Sequence, residues 1–155
     1  MPDTATATRR EVATNRRAFH DYFVDERYEA GLVLTGTEVK SLRAGRCNLR
    51  DGYVRVDGQE AWLENVHISP YAQGNLANHE PLRPRKLLLH RGEIAGLIGK
   101  VRQRGYTLIP LRMYFSNQRA KVEIGLCRGK RQYDKRQAIA EADARREMER
   151  ALKRG

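Results

Sequence analysis

The chain predicts a mainly β protein with inserted α-helices: an OB-fold-like closed or partly open barrel of about six strands, with a detached C-terminal tail. Short segments with one apolar face recur, hairpin signals join them, and two amphipathic helical patterns are inserted between them. After residue 128 the apolar periodicity stops, although helix-forming residues continue. These changes in pattern divide the chain into a disordered basic N-terminal arm at 1–14, a barrel at 15–128 and a basic tail at 129–155.

The first strand signal is Tyr28-Glu-Ala-Gly-Leu-Val-Leu34. In TGTEVKSLRAG, residues 35–45, Thr35 and Glu38 have capping-box spacing, Val39 and Leu42 share a side, and Gly45 stands where a helix ends. Tyr53-Val-Arg-Val56 alternates, Asp57-Gly58 marks a tight turn, and Ala61–Ile68 runs back. Residues 69–85 hold three prolines without periodicity and form a long loop, a class that is usually functional or mobile. Lys86–His90 is a short apolar strand. Ile94, Leu97, Ile98 and Val101 then fall at i, i+3, i+4 and i+7, and Gly105 closes the best amphipathic helix. In the last hairpin Thr107, Ile109, Leu111, Met113 and Phe115 are expected on one face, opposite Ala120, Val122, Ile124 and Leu126. The turn falls at 116–118, and Pro110 implies an edge or a bulge.

Composition narrows the partner. Thirty basic residues face 19 acidic ones, for a net charge of +11, and 23 of the 30 are Arg against 7 Lys. Guanidinium forks onto phosphate and stacks on bases, so an Arg-weighted excess points to nucleic acid. Two cysteines without metal spacing are free thiols of a reducing compartment, and no stretch is long and apolar enough to span a membrane. The protein is therefore expected to be cytoplasmic and, having no long apolar edge, monomeric.

Catalytic signatures are weak. The four histidines, His20, His67, His79 and His90, lack metal-ligand spacing. His20 and Asp21 are adjacent, which on a strand would turn them to opposite faces. Gly96-Leu-Ile-Gly99 lies inside a helical pattern and is not a phosphate or KH loop. No cofactor is expected, and the chain is read as a non-enzyme.

Binding features are stronger. Arg83, Arg85, Lys86 and Arg91 flank the short apolar strand, while Arg9, Arg10, Arg16 and Arg17 mark the N-terminal end. Tyr22, Tyr28, Tyr71, Tyr106 and Tyr114 offer rings for base stacking. Glu29 is an acid among cations; it either pairs with Arg27 or a neighbour, or accepts donors from base edges. In the tail, Ile139 lies opposite Met148 and Leu152 on a helical wheel, so no stripe can dock on the barrel. Lys130, Arg131, Lys135 and Arg136 concentrate charge at its root. The tail is expected to be disordered when free and helical against a polyanion.

Five ordered stretches carry a family resemblance: NRRAFHDYFV at 15–24, YEAGLVLTGTEVKSLRAG at 28–45, LENVHISPY at 63–71, RKLLLH at 85–90 and GLCRGKRQYDKR at 125–136. They strongly resemble the SsrA-binding protein family, the bacterial partners of transfer-messenger RNA. The resemblance implies an OB-like barrel without catalysis that serves ribosome rescue, or trans-translation. Such a protein binds the tRNA-like domain of transfer-messenger RNA and reaches stalled ribosomes with elongation factor Tu and GTP. Its tail then occupies the decoding centre and the empty mRNA channel of the small subunit.

By matching motif, Glu29, Lys86, Leu88 and His90 belong on the RNA-binding side, with His20 a weaker candidate for the same side. Gly129, Lys130, Arg131, Tyr133, Asp134, Lys135 and Arg136 match the decoding segment. At position 133 many members carry His; Tyr stacks but bears no positive charge. Two other readings remain from the residues: a generic OB-type RNA-binding translation factor or RNA chaperone, and a small RNA-processing enzyme using His20 or His90.

Overall fold

The computed structural model describes residues 9–72, 78–103, 105–130 and 142–152. In chain order the elements are β1 (Arg10–Thr14), α1 (Arg16–Asp21), β2 (Tyr22–Leu32), α2 (Gly36–Arg43), β3 (Cys47–Asn48), β4 (Tyr53–Asp57) and β5 (Glu60–Glu64). They continue with β6 (His67–Ile68), β7 (Arg85–Leu88), α3 (Arg91–Val101), β8 (Tyr106–Ser116) and β9 (Arg119–Gly129). Seven strands form one antiparallel sheet in the order β1-β8-β9-β2-β7-β5-β4, while β3 and β6 pair separately. The mainly β barrel with inserted helices is as expected, though with more strands than about six.

Local chemistry accounts for the elements. The Thr35 hydroxyl accepts from the Glu38 N–H, Glu38 accepts from the Thr35 N–H, and Gly45 takes φ +74° just past the end of α2. Asn117 and Gln118 have φ of 49° and 65°, the backbone of a two-residue turn that matches strand twist. Helix α1, which the sequence did not reveal, is started by Asn15. Its Oδ1 accepts from the Ala18 N–H, and its amide donates to Leu49 O at 3.2 Å and Pro110 O at 3.0 Å.

Strand β8 closes the barrel. Strand β1 covers only its Arg112–Phe115 part, leaving the half with Pro110 for β4 to pack against. Gly52 is needed there, since a Cβ would stand 2.5 Å from Val66 Cγ2 and 3.0 Å from Pro110 Cγ. A bulge between Pro110 and Arg112 inserts Leu111 against no partner on β9. Before the bulge Leu108 faces the interior; after it Met113 and Phe115 do. Ile109 and Leu111 face outward instead, packing with Ala18 and Cys127 beneath α1. The expected single alternation from Thr107 to Phe115 is thus corrected in its first half, because the extra residue changes which positions face in.

The N-terminal boundary is also corrected: Arg10–Thr14 is a strand on β8, not part of a disordered arm. Residues 142–152 are helical, and 143–152 are exposed, including Met148 and Leu152. The ion pair described there, Arg146–Asp143 at 3.8 Å, lies within the helix.

The interior also holds a charge pair. Glu38 and Arg85 are both fully buried and joined at 2.5 Å, and Arg85 donates further to Val66 O at 2.6 Å and Pro81 O at 3.1 Å. Burial alone pushes the Glu38 carboxyl up, but hydrogen bonds from Arg83, the Thr35 N–H and Arg85 outweigh it, and the net shift is downward. Replacing Glu38 by Gln strands the guanidinium and is expected to cost about 3–5 kcal/mol in urea denaturation. With the folded carboxyl's pKa depressed, its contribution is complete above the unfolded value and disappears as pH falls through the folded one. The wild type should therefore lose more stability than E38Q between about pH 5 and pH 3.

Candidate nucleic-acid interface

The outer face of the sheet brings together residues far apart in the chain. Hydrogen-bonded register lines up Tyr114 on β8, Lys121 on β9, Gly31 on β2 and Leu88 on β7. Arg112, Glu123 and Glu29 form the adjacent row. Their strand neighbours Met113, Val122, Ala30 and Leu87 point into the core, which turns both rows outward. Lys86, two residues before Leu88, faces the same way opposite Trp62 of β5.

Leu88 lies over the bare backbone of Gly31, where a Cβ would stand 3.3 Å from Leu88 Cβ. Leu88 stays 55% exposed and nearby Val33 47%. A shallow groove of about 270 Å³ runs beside them, lined in part by Leu34, Phe115, Arg119 and Lys121. Among the described residues Lys121 and Arg119 have no ion pair, and Lys86 has one exposed contact, Glu60 at 3.6 Å. Exposed pairs of that kind contribute about 0–1 kcal/mol, so the ammonium exchanges partners readily. Exposed aliphatic carbons beside available cations suit a ribose-phosphate chain better than a charged small molecule.

Glu29 sits at the margin of this group. Its carboxylate accepts from the Tyr114 hydroxyl. Arg27 does not pair with it but reaches Glu123 at 3.2 Å. Burial, and then the hydrogen bond to Glu29, pushes the Tyr114 hydroxyl pKa upward, so it stays protonated and donating. The Tyr114 ring is only 2% exposed, which corrects its place among rings open for base stacking.

Other expected site residues separate. Arg85, enclosed by Glu38 and backbone carbonyls, cannot meet RNA; that expectation is corrected. Arg83 is half-buried and tied to the same Glu38 at 2.5 Å. His90, exposed at the N-terminus of α3, has its backbone N–H bound by Glu93, and Arg91 follows it, also exposed. His20 lies in the last turn of α1, beyond the opposite end of β2. Seven residues separate Tyr22 from Glu29, about 23 Å of strand. His20 Nδ1 lies 2.8 Å from Asp21 Oδ1, so the two are partners rather than on opposite faces. The Asp21 carboxyl is held below its ordinary value first by that hydrogen bond.

At the root of the tail, Gly129 pairs with Tyr22, and Lys130 donates to Phe19 O at 3.4 Å over the Phe23 ring. Arg131, Tyr133, Asp134, Lys135 and Arg136 lie outside the described residues. No cluster of three metal-ligating side chains occurs among the described residues.

Lys121, Gly31 and Val33 were not picked out from the sequence as site residues. The available signal was Lys121's outward position in an alternating strand, but only register sets it beside Leu88. Two substitutions separate surface from scaffold. Lys86→Ala is expected to change stability by less than about 0.5 kcal/mol, while Arg85→Ala, which leaves Glu38 buried and unpaired, should cost about 3 kcal/mol or more, both by chemical denaturation.

Comparison with known proteins gives a consistent answer. The family model described as SmpB protein matches residues 12–154. The SsrA-binding protein of Roseiflexus castenholzii (strain DSM 13941 / HLO8) is 63% identical over 145 residues, covering 93% of this chain and 92% of the relative. That of Thermobifida fusca (strain YX) is 64% identical over 143 residues, covering 92% and 89%. A solved structure described as "tmRNA-SmpB: a journey to the center of the bacterial ribosome" is similar with TM-score 0.66 and 53% identity, covering 76% of this chain and 83% of that one.

Proposed function

The chain belongs to the SmpB protein family, and from that premise we propose that it is a non-enzymatic RNA adaptor of trans-translation. The outer face around Glu29, Lys86, Leu88 and Lys121 binds the tRNA-like domain of transfer-messenger RNA. The tail beginning at Gly129 and Lys130, with Arg131, Tyr133, Asp134, Lys135 and Arg136, enters the decoding centre and empty mRNA channel of a stalled ribosome. Delivery occurs with elongation factor Tu, and the chain acts as a monomer in the cytoplasm.

The observation that carries this reading is the row Tyr114–Lys121–Gly31–Leu88 with Glu29 beside it, in a chain 63% identical to an SsrA-binding protein. The face combines exposed apolar carbon, available ammonium groups and the Glu29 carboxylate, while the neighbouring Glu123 is taken up by arginines. Such a surface offers more than phosphate attraction and is suited to a particular RNA shape. The helix at 142–152, whose large apolar side chains Met148 and Leu152 stay exposed rather than seated on the barrel, suits a charged channel elsewhere.

A gel-shift competition is the direct test. The full chain should prefer the tRNA-like domain over ordinary tRNA and single-stranded RNA by at least about tenfold at physiological salt, since charge alone gives no such preference. Equal binding to all three would favour the generic translation factor or chaperone. Removal of all residues after Lys130 should leave affinity for the tRNA-like domain near wild type while abolishing tagging on stalled ribosomes. Equal loss of both would defeat the proposed division of labour.

A further inference from the structure

Glu29 is an anion within a face of available cations, and its carboxylate is held from below. The Tyr114 hydroxyl donates to Glu29 Oε2. The guanidinium carbon of Arg9 lies 3.8 Å from the Tyr114 ring centroid, closing the ring from the other side. Arg9 is itself steered by Glu123 at 4.0 Å and Glu11 at 3.9 Å. The tyrosine is thus sandwiched between a cation from the N-terminal arm and the carboxylate it serves. A cation over a tyrosine ring makes its hydroxyl a better donor.

We infer that Arg9 and Tyr114 form a positioning clamp for Glu29, and that Glu29 accepts a hydrogen bond from a base amino or imino group, or a ribose 2′-hydroxyl, of the bound RNA. This deepens the proposed RNA-binding role of the same face and rests on it. A carboxylate repels phosphate, so its presence among cations reads donors and bars misplacement of the backbone. The hydroxyl occupies Oε2 and fixes the carboxylate's rotation, leaving Oε1 to face the RNA. The N-terminal arm thereby takes part in recognition through one side chain, without itself contacting RNA.

The test is a set of binding titrations with the full chain and the tRNA-like domain of transfer-messenger RNA, for wild type, Glu29→Gln, Tyr114→Phe, Arg9→Gln and the double variants with Glu29→Gln. Circular dichroism checks that each is folded. Glu29→Gln and Tyr114→Phe should each weaken binding about fivefold to tenfold, and Arg9→Gln about threefold. Either clamp substitution should add nothing further in the Glu29→Gln background, a coupling that a purely structural role does not produce. The salt dependence should stay that of wild type for these variants, while Lys86→Ala lowers the slope by about one.

Wild-type affinity for Tyr114→Phe and Arg9→Gln, or full additivity with Glu29→Gln, overturns the clamp while leaving the RNA face standing. Unchanged affinity for Glu29→Gln removes Glu29 from the RNA face and the clamp with it. Tighter binding by Glu29→Gln indicates a phosphate neighbour and overturns the donor assignment. Should Tyr114→Phe fail to fold, Arg9→Gln decides alone, by the same criterion of non-additivity.

Discussion

The buried ion pair between Glu38 and Arg85 sets the geometry on which the outer face depends. A guanidinium cannot lie in an apolar interior without its counter-charge, and a carboxylate there needs several donors. Glu38 finds those donors in the first turn of α2 and in two arginines, while Arg85 finds further acceptors in the Val66 and Pro81 carbonyls. One contact thus seats α2 on the barrel and ties down the end of the long loop before β7. It also settles the orientation of β7. With Arg85 committed inward, strand alternation turns Lys86 and Leu88 out.

The proposed RNA face and the tail root lie toward opposite ends of β2, an eleven-residue strand whose pairing with β9 carries one bulge between Val24 and Glu26. Pairing of β2 with β9 on one side and β7 on the other sets the separation of the two regions along the strand. Acid-base pairs reinforce this span. Lys100 of α3 meets Glu26 at 2.5 Å, and Arg128 meets Asp25 at 2.9 Å. The Glu26 carboxyl is held low chiefly by the Lys100 ammonium, so both groups stay charged near neutral pH.

Where local chemistry decides structure, the sequence was legible. The capping box of α2, the α3 periodicity and the second hairpin stand within a residue or two of their expected places, because each is specified by nearby side chains. The return strand of the first hairpin, expected over Ala61–Ile68, instead ends at Glu64, and His67–Ile68 pairs with β3. Helix α1 was hidden, since six residues carry too little periodicity and its cap depends on carbonyls at Leu49 and Pro110. Arg85 was misjudged for a related reason. A cation beside Lys86 resembles surface until α2, 47 residues earlier in the chain, supplies Glu38. For the site, Glu29, Lys86 and Leu88 were recognisable by motif, while Lys121 and Tyr114 joined them only through pairing across four strands.

The unpaired Leu111 gives one strand two allegiances, so that its leading half lines one apolar compartment with Leu108 while lending Ile109 to another under α1. A single surplus residue shifts the inward positions from even-numbered before it to odd-numbered after it. Excising it would leave Pro110 and Arg112 opposite Ile124 and Glu123 as before, with Met113 and Phe115 still inside, but would remove the side chain that packs with Ile109 under α1 and the carbonyl that accepts from the Asn15 N–H. The surplus residue therefore serves the compartment beneath α1, which it fills, while the facing of Arg112 to Phe115 is set by their pairing with β9.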